Sequence, residues 1–153
     1  MINKEKQRFE NKIVLITGAT GHIGRNAAIA LSDKGSNLIL IDTNLKKLNE
    51  LKLLIEEKYD SSVDIVCKDL TKKTSITSIK NMIEKKYKRL DILINSIGFV
   101  GTSGMKGWNT RFINQTKQAW DYSMETNLSS IFFLIQGLHK LMKKSKSPSI
   151  VNI

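Results

Sequence analysis

Cysteine and proline are almost missing from this sequence, which holds only Cys67 and Pro148. A single thiol closes no internal disulfide, so a disulfide-stapled secreted scaffold is excluded. Long apolar runs are also missing: none approaches the ~20 residues of a membrane span. The opening stretch MINKEKQRFENK has no apolar core of the kind a secretory signal carries. A cytoplasmic protein with no membrane partner is the expectation. Histidine is scarce, with only His22 on a loop and His139 on a helix surface. Neither has a second His or Cys nearby, so no metal site is expected. Cys67, inside an apolar strand pattern, reads as a small core residue.

Acid is scarce relative to base. The 25 Lys and Arg against 14 Asp and Glu give a formal net charge of +11. A basic patch is the footprint of a nucleic-acid surface. Here the basic residues are spread through every helical segment, and only Arg8, Arg25, Arg89 and Arg111 are arginines. No aromatics are interleaved with them. The charge therefore reads as lysine-coated helix surfaces, and no nucleic-acid partner is expected. The cluster KKSKS (Lys143–Ser147) closes a long helix, where cations complement the helix dipole. With 41% hydrophobic and 25% charged residues and no repeat or low-complexity linker, residues 1–153 are expected to form one domain.

The periodicity alternates between two kinds of segment. Apolar runs at KIVLIT (Lys12–Thr17), NLILI (Asn37–Ile41), VDIVC (Val63–Cys67), DILIN (Asp91–Asn95) and SIVNI (Ser149–Ile153) read as strands. Between them lie helical patterns. Leu45, Leu48, Leu51 and Ile55 form one stripe, with Thr43 or Asn44 as its cap. Ile76, Ile79, Ile83 and Tyr87 form another. A long helix over about Lys117–Lys144 buries Ile131, Ile135, Leu138 and Met142. Alternating strands and helices predict βαβ units, hence a doubly wound α/β fold with a parallel sheet and helices on both faces.

The first strand runs into TGATGHIG (Thr17–Gly24), with Gly18, Gly21 and Gly24 spaced by three. Glycine permits a tight turn and close backbone approach, and the following helix offers free N–H groups to an anion. A pyrophosphate is the natural occupant. Asp42, 24 residues after Gly18, ends the second strand. A carboxylate there can accept hydrogen bonds from ribose hydroxyls and repels a 2′-phosphate, which favours NAD over NADP.

These residues resemble the short-chain dehydrogenases/reductases from Lys12 to Ile153. TGATGHIG is similar to that family's glycine motif, although His22 stands where its second glycine is common. KDL, with Asp69 and Leu70, is similar to its adenine-contacting pair. NSIG (Asn95, Ser96, Gly98) is similar to its Asn-Asn-Ala-Gly motif, and WDYSMETNL to the helix segment carrying an asparagine, here Asn127. The resemblance implies a Rossmann-like fold and an NAD(P) cofactor held by Thr17, Gly18, Gly21, Ile23, Gly24, Asp42, Asp69, Leu70, Asn95, Ser96 and Gly98. It also implies a structural and catalytic role for Asn127, a homo-oligomer in the full-length form, and hydride transfer with a small-molecule alcohol or ketone. The loop Gly98–Thr116, with Phe99, Trp108, Arg111 and Phe112, resembles that of family members tied to surface-polysaccharide and sugar modification. A sugar-related substrate, with Arg111 anchoring an acidic group, is the corresponding expectation.

The family's acid/base pair is Tyr-x-x-x-Lys. Tyr59, Tyr87 and Tyr122 are followed at that spacing by Val63, Asp91 and Thr126. The final SIVNI resembles the strand that leads into the family's serine, and its β-branched run has the pattern of a strand covered on both faces. The chain is thus expected to be an N-terminal cofactor-binding portion, C-terminally incomplete after the fifth strand, inactive by itself and prone to self-association. The alternatives are a non-catalytic dinucleotide-binding or interaction protein, or a degraded gene product.

Overall fold

The computed structural model describes residues 9–100 and 104–153, with five strands and five α-helices, one helix between successive strands up to the fourth and two between the fourth and fifth. The strands are β1 (Ile13–Thr17), β2 (Asn37–Asp42), β3 (Val63–Cys67), β4 (Ile92–Asn95) and β5 (Ser149–Asn152). The helices are α1 (His22–Ser32), α2 (Leu45–Lys58), α3 (Lys73–Lys86), α4 (Lys117–Met124) and α5 (Ser130–Met142). All strand pairs are parallel, and the sheet order is β3-β2-β1-β4-β5. The expected doubly wound α/β architecture is therefore the observed one. The order reverses between β1 and β4, the switch point at which doubly wound sheets open a crevice.

Side chains alternate across the central strands into two cores. Leu15, Ile39 and Leu93 meet Ile79, Ile83, Leu134 and Leu138 from α3 and α5. Val14, Ile16, Leu38 and Leu40 meet Ala28, Leu48, Leu51 and Ile55 from α1 and α2. Burial on both faces explains why these strands read as continuous apolar runs. Asn44 caps α2, its Oδ1 accepting from Lys47 N–H at 3.0 Å.

Several local expectations are corrected. Leu45 opens the α2 stripe but is 52% exposed, because it precedes the turn that meets the sheet. The expected single helix from Lys117 is interrupted by a π-helical stretch, Glu125–Ser129. Within α5, Leu138 and Met142 are buried as expected, and the buried face is completed by Leu134 and Leu141; Ile131 and Ile135 lie at its edge and are half-buried, Ile135 against the same core. His22 begins α1 rather than lying in a loop. Cys67 is exposed at the end of edge strand β3, its Sγ donating to the Thr43 carbonyl at 3.4 Å, and is not a core residue. Strand β5 forms the opposite edge, with Ile150 and Val151 each more than 40% exposed, so neither face is fully covered.

At the N-terminal edge of the sheet, Asp91 joins three parts of the chain. Its buried carboxylate accepts from Ile13 N–H at 2.9 Å, Ser145 Oγ at 2.6 Å and Arg89 Nε at 3.0 Å. Burial alone would raise its pKa, but the Ile13, Ser145 and Arg89 donors together hold it below the ordinary value. No helix among the described residues is long and apolar enough to cross a membrane.

Candidate functional site

At the C-terminal edge of β1 the chain turns at Gly18, whose φ is +60°. A Cβ there would lie 2.5 Å from the Ser96 carbonyl oxygen, and one at Gly24 only 2.4 Å from the Gly18 carbonyl oxygen. Both glycines therefore let the turn, the start of α1 and the loop after β4 nest together. Gly21 has extended backbone and starts α1. The first intrahelical bond is Arg25 N–H to Gly21 C=O, at 2.9 Å. The N–H groups of His22, Ile23 and Gly24 precede it, which gives this end of the helix an affinity for anions.

Neighbouring strands brace the turn. Ser96 Oγ donates to the Thr17 carbonyl at 2.6 Å, and Ala19 N–H to the Ile41 carbonyl at 3.1 Å. Asp42 Oδ2 accepts from both Thr20 N–H, at 3.0 Å, and Thr20 Oγ1, at 2.8 Å. Its Oδ1 accepts from Thr43 N–H at 2.7 Å and Asn44 N–H at 3.2 Å. A carboxylate accepts about four hydrogen bonds, so every one of these positions is already filled. The Thr20 hydroxyl is the one donor of the four that can rotate away for an incoming hydroxyl.

A cleft of about 400 Å³ opens here, lined by Gly18, Gly21, Asp42, Asp69, Leu70, Ser96 and Gly98 among others. Of the remaining expected residues, Thr17, Gly24 and Asn95 stand behind the lining, and Ile23 is half-exposed on α1. Asp69 Oδ1 accepts from Thr71 N–H and Oγ1, fixing the bend that presents Leu70. Asn95 is fully buried and donates to Asn152 Oδ1 at 2.8 Å, while its own Oδ1 has no partner among the described residues.

Thr20, Lys47 and Lys68 also line the cleft and were not singled out from the sequence. Lys68 N–H donates to the Asp42 carbonyl at 3.0 Å, a parallel-sheet contact that spacing along the chain does not reveal. Two lysines thus share this end of the cleft with Asp42 and Asp69.

At the other end, Phe99 packs at a tilt against Trp108 and edge-to-face against Tyr122, with ring centroids 5.1 and 5.0 Å apart. Asn127, on the π-helical stretch, holds the Phe99 backbone through its side-chain amide. Asn127 does not line the cleft; Phe99, Tyr122 and Thr126 do. Arg111 and Phe112 are exposed, and neither lines the cleft, because the 3₁₀ turn Phe112–Asn114 carries them outward. Residues 101–103 of the same loop lie outside the described residues.

Residues 12–153 match the family model described as short chain dehydrogenase. "Dehydrogenase/reductase SDR family member 6" of Xenopus laevis is 32% identical over 148 residues, 95% of this chain and 53% of that protein. A short chain dehydrogenase from Shigella flexneri, solved with NADP, superposes with a TM-score of 0.82 at 28% identity, covering 96% of this chain and 60% of that one. An NAD⁺-bound xylitol dehydrogenase superposes with a TM-score of 0.84 over 95% of this chain and 53% of that one, and at 21% identity it shares the fold alone. The chain spans about half the length of the curated relatives it matches.

Proposed function

The chain belongs to the short-chain dehydrogenase family, and on that premise we propose that it forms the dinucleotide-binding part of an NAD(H)-dependent oxidoreductase interconverting a hydroxyl and a keto group. The carrying observation is the cleft at the β1/β4 switch point, with a glycine-built turn and helix N-terminus at its base and Asp42 beside them. These residues fit a dinucleotide. Gly18, Gly21 and the leading N–H groups of α1 would hold the pyrophosphate, while Thr17, Ile23 and Gly24 form the frame behind them. Asp42 would receive the adenosine ribose, and Asp69 with Leu70 the adenine. Asn95, Ser96 and Gly98 would border the nicotinamide.

When bound, the nicotinamide supplies the carbon that gives or takes the hydride. Asn127 acts as a positioning residue: its amide fixes Phe99, and so the aromatic wall that faces the cleft. The negative charge of Asp42 supports NAD over NADP, and Lys47 and Lys68 reduce the margin. Tyr-x-x-x-Lys is not among these residues, so hydride transfer belongs to the whole protein. The substrate would be a small alcohol or ketone, with a sugar-related one the narrower reading, and the whole protein would be a homo-oligomer.

Titrating the purified chain with NADH, and following energy transfer from tryptophan to the reduced nicotinamide, tests this reading. Saturable binding that NAD⁺ competes away is expected, with no NADH oxidation on a panel of carbonyl compounds. Failure to bind either NADH or NADPH would sink the proposal. Turnover by these residues alone would overturn the assignment of the chemistry to the rest of the protein.

A further inference from the structure

Asp42, the residue that would receive the ribose, is already saturated by the protein's own donors. Its Oδ1 is held by the Thr43 and Asn44 amides at the entry to α2, where Asn44 is the cap and its own side chain accepts from Lys47 N–H. Its Oδ2 is held by the Thr20 amide at 3.0 Å and the Thr20 hydroxyl at 2.8 Å. The turn between β1 and α1 fixes the Thr20 backbone: Ala19 N–H donates to the Ile41 carbonyl, and Gly21 N–H to the Gly18 carbonyl at 3.0 Å. Three of the four donors are therefore backbone amides held in place by their own elements. The fourth is a hydroxyl on a rotatable bond. Thr20 lies outside any helix or strand, is half-buried, and lines the dinucleotide cleft beside Asp42. A rotamer change of about 120° carries its Oγ1 off the carboxylate with no movement of the backbone.

We propose that Thr20 sets the affinity and cofactor preference of this cleft by competing with the adenosine ribose for Asp42, an inference that rests on the dinucleotide reading above. A carboxylate has about four acceptor positions, so an incoming ribose hydroxyl binds Oδ2 in place of Thr20 Oγ1. One hydroxyl–carboxylate bond is exchanged for another of the same kind. The ribose therefore gains less from Asp42 than it would from a carboxylate with an open position. The exchange requires a hydroxyl proton on the nucleotide. In NADPH the 2′-oxygen carries a phosphate and has no proton to donate, so there the Thr20 bond stays in place. Removing the Thr20 hydroxyl opens one position on Asp42 for NADH. It also leaves the carboxylate less neutralised, which opposes a 2′-phosphate more strongly. Thr20 is thus a positioning residue that acts through Asp42, and its loss should widen the preference for NADH.

The test sets wild type beside Thr20→Val and Thr20→Ser in titrations with NADH and with NADPH. Thr20→Val, which keeps the branched shape and removes the hydroxyl, should bind NADH about threefold to tenfold more tightly. It should bind NADPH no more tightly than wild type does. Thr20→Ser restores a rotatable hydroxyl and should return NADH binding to the wild-type level. In an Asp42→Ala background, Thr20→Val should have no effect. A merely structural role predicts the opposite sign, because a lost hydrogen bond loosens the turn and weakens binding. Wild type supplies a readout that needs no variant: three-bond couplings to the Thr20 methyl carbon should report a new χ1 rotamer once NADH saturates the cleft. Beside intact wild-type binding, any of four results would overturn this inference and leave the dinucleotide reading standing. These are equal or weaker NADH binding by Thr20→Val, the same gain for NADPH, a gain that persists without Asp42, or an unmoved Thr20 rotamer. Wild type that binds neither nucleotide overturns both.

Discussion

The Asn127 side chain closes two hydrogen bonds on one backbone unit. Its Oδ1 accepts from Phe99 N–H at 2.6 Å, and its Nδ2 donates to the Phe99 carbonyl at 3.2 Å. The amide thus pairs with Phe99 as a neighbouring strand would, at the place where the helix widens into π geometry. Its Nδ2 also reaches Ser123 Oγ at 3.3 Å. Asn127→Ala should lower stability by about 1 kcal/mol, as expected for lost hydrogen bonds in a partly exposed setting. It should also blunt the near-ultraviolet circular dichroism of the Phe99–Trp108–Tyr122 cluster. Asn127→Asp keeps the acceptor but loses the donor to Phe99, so an intermediate effect is expected from the same two measurements.

Gly18→Ala should be the more damaging of two glycine substitutions. A Cβ at Gly18 meets both a positive φ and a backbone oxygen at 2.5 Å, which cannot move without shifting β4 and its loop. Gly24→Ala meets the Gly18 carbonyl and the Ser96 hydroxyl, the latter able to rotate. A loss of about 2–3 kcal/mol is expected at Gly18. Dinucleotide binding should fall by more than about tenfold in both, since each shifts the turn against the helix N-terminus. Denaturant melts and NADH titrations check the two halves of this prediction.

Asp42→Ala should weaken NADH binding by about tenfold, the size of one hydrogen bond to a charged group. It should also bring the NADPH affinity closer to that of NADH, because Lys47 and Lys68 are then opposed by Asp69 alone. Parallel titrations with the two reduced nucleotides measure this. An unchanged ratio would remove Asp42 from the discrimination.

Asp91 should give a distinct acid sensitivity. Its folded pKa lies below the ordinary value near 3.8, so the stabilisation is complete above that value and lost as pH falls through the lower folded value. Asp91→Asn should cost about 2 kcal/mol at neutral pH. The gap between wild type and variant should narrow as pH drops below about 4. Melts of both proteins across pH 2.5–7 check the sign. A gap that widened in acid would contradict the assignment.

Much of this was legible in the sequence, because the strongest signals are periodic or local. Leu15, Ile39 and Leu93 announce strands buried on both faces, and Ile76, Ile79 and Ile83 announce a helix stripe. The glycine turn and Asp42 carry their own chemistry. What escaped depends on which strands lie side by side. Cys67 looked buried because its strand is apolar, but β3 is a sheet edge, and only the pairing order shows that. Lys68 faces the cleft for the same reason. The Asp91 hub joins Ile13 and Ser145 across 78 and 54 positions, and its only local hint is Arg89 just before a strand. The π stretch leaves no compositional trace. On α5 the sequence stripe shares Leu138 and Met142 with the buried face but misses Leu134 and Leu141, because Ile131 and Ile135 lie at the edge of that face.

The strand order also fixes how the chain comes together during synthesis. Strand β1 lies between β2 and β4, yet β4 is made long after it. At about 5–20 residues per second, the 75 positions from Thr17 to Ile92 take roughly 4–15 s to emerge. For that interval β1 and β2 can zip together while the other edge of β1 stays unpaired. That edge is a run of Ile, Val and Leu that pairs readily with any passing strand. The nascent protein therefore passes through a stage in which an apolar strand edge is open until β4 reaches it.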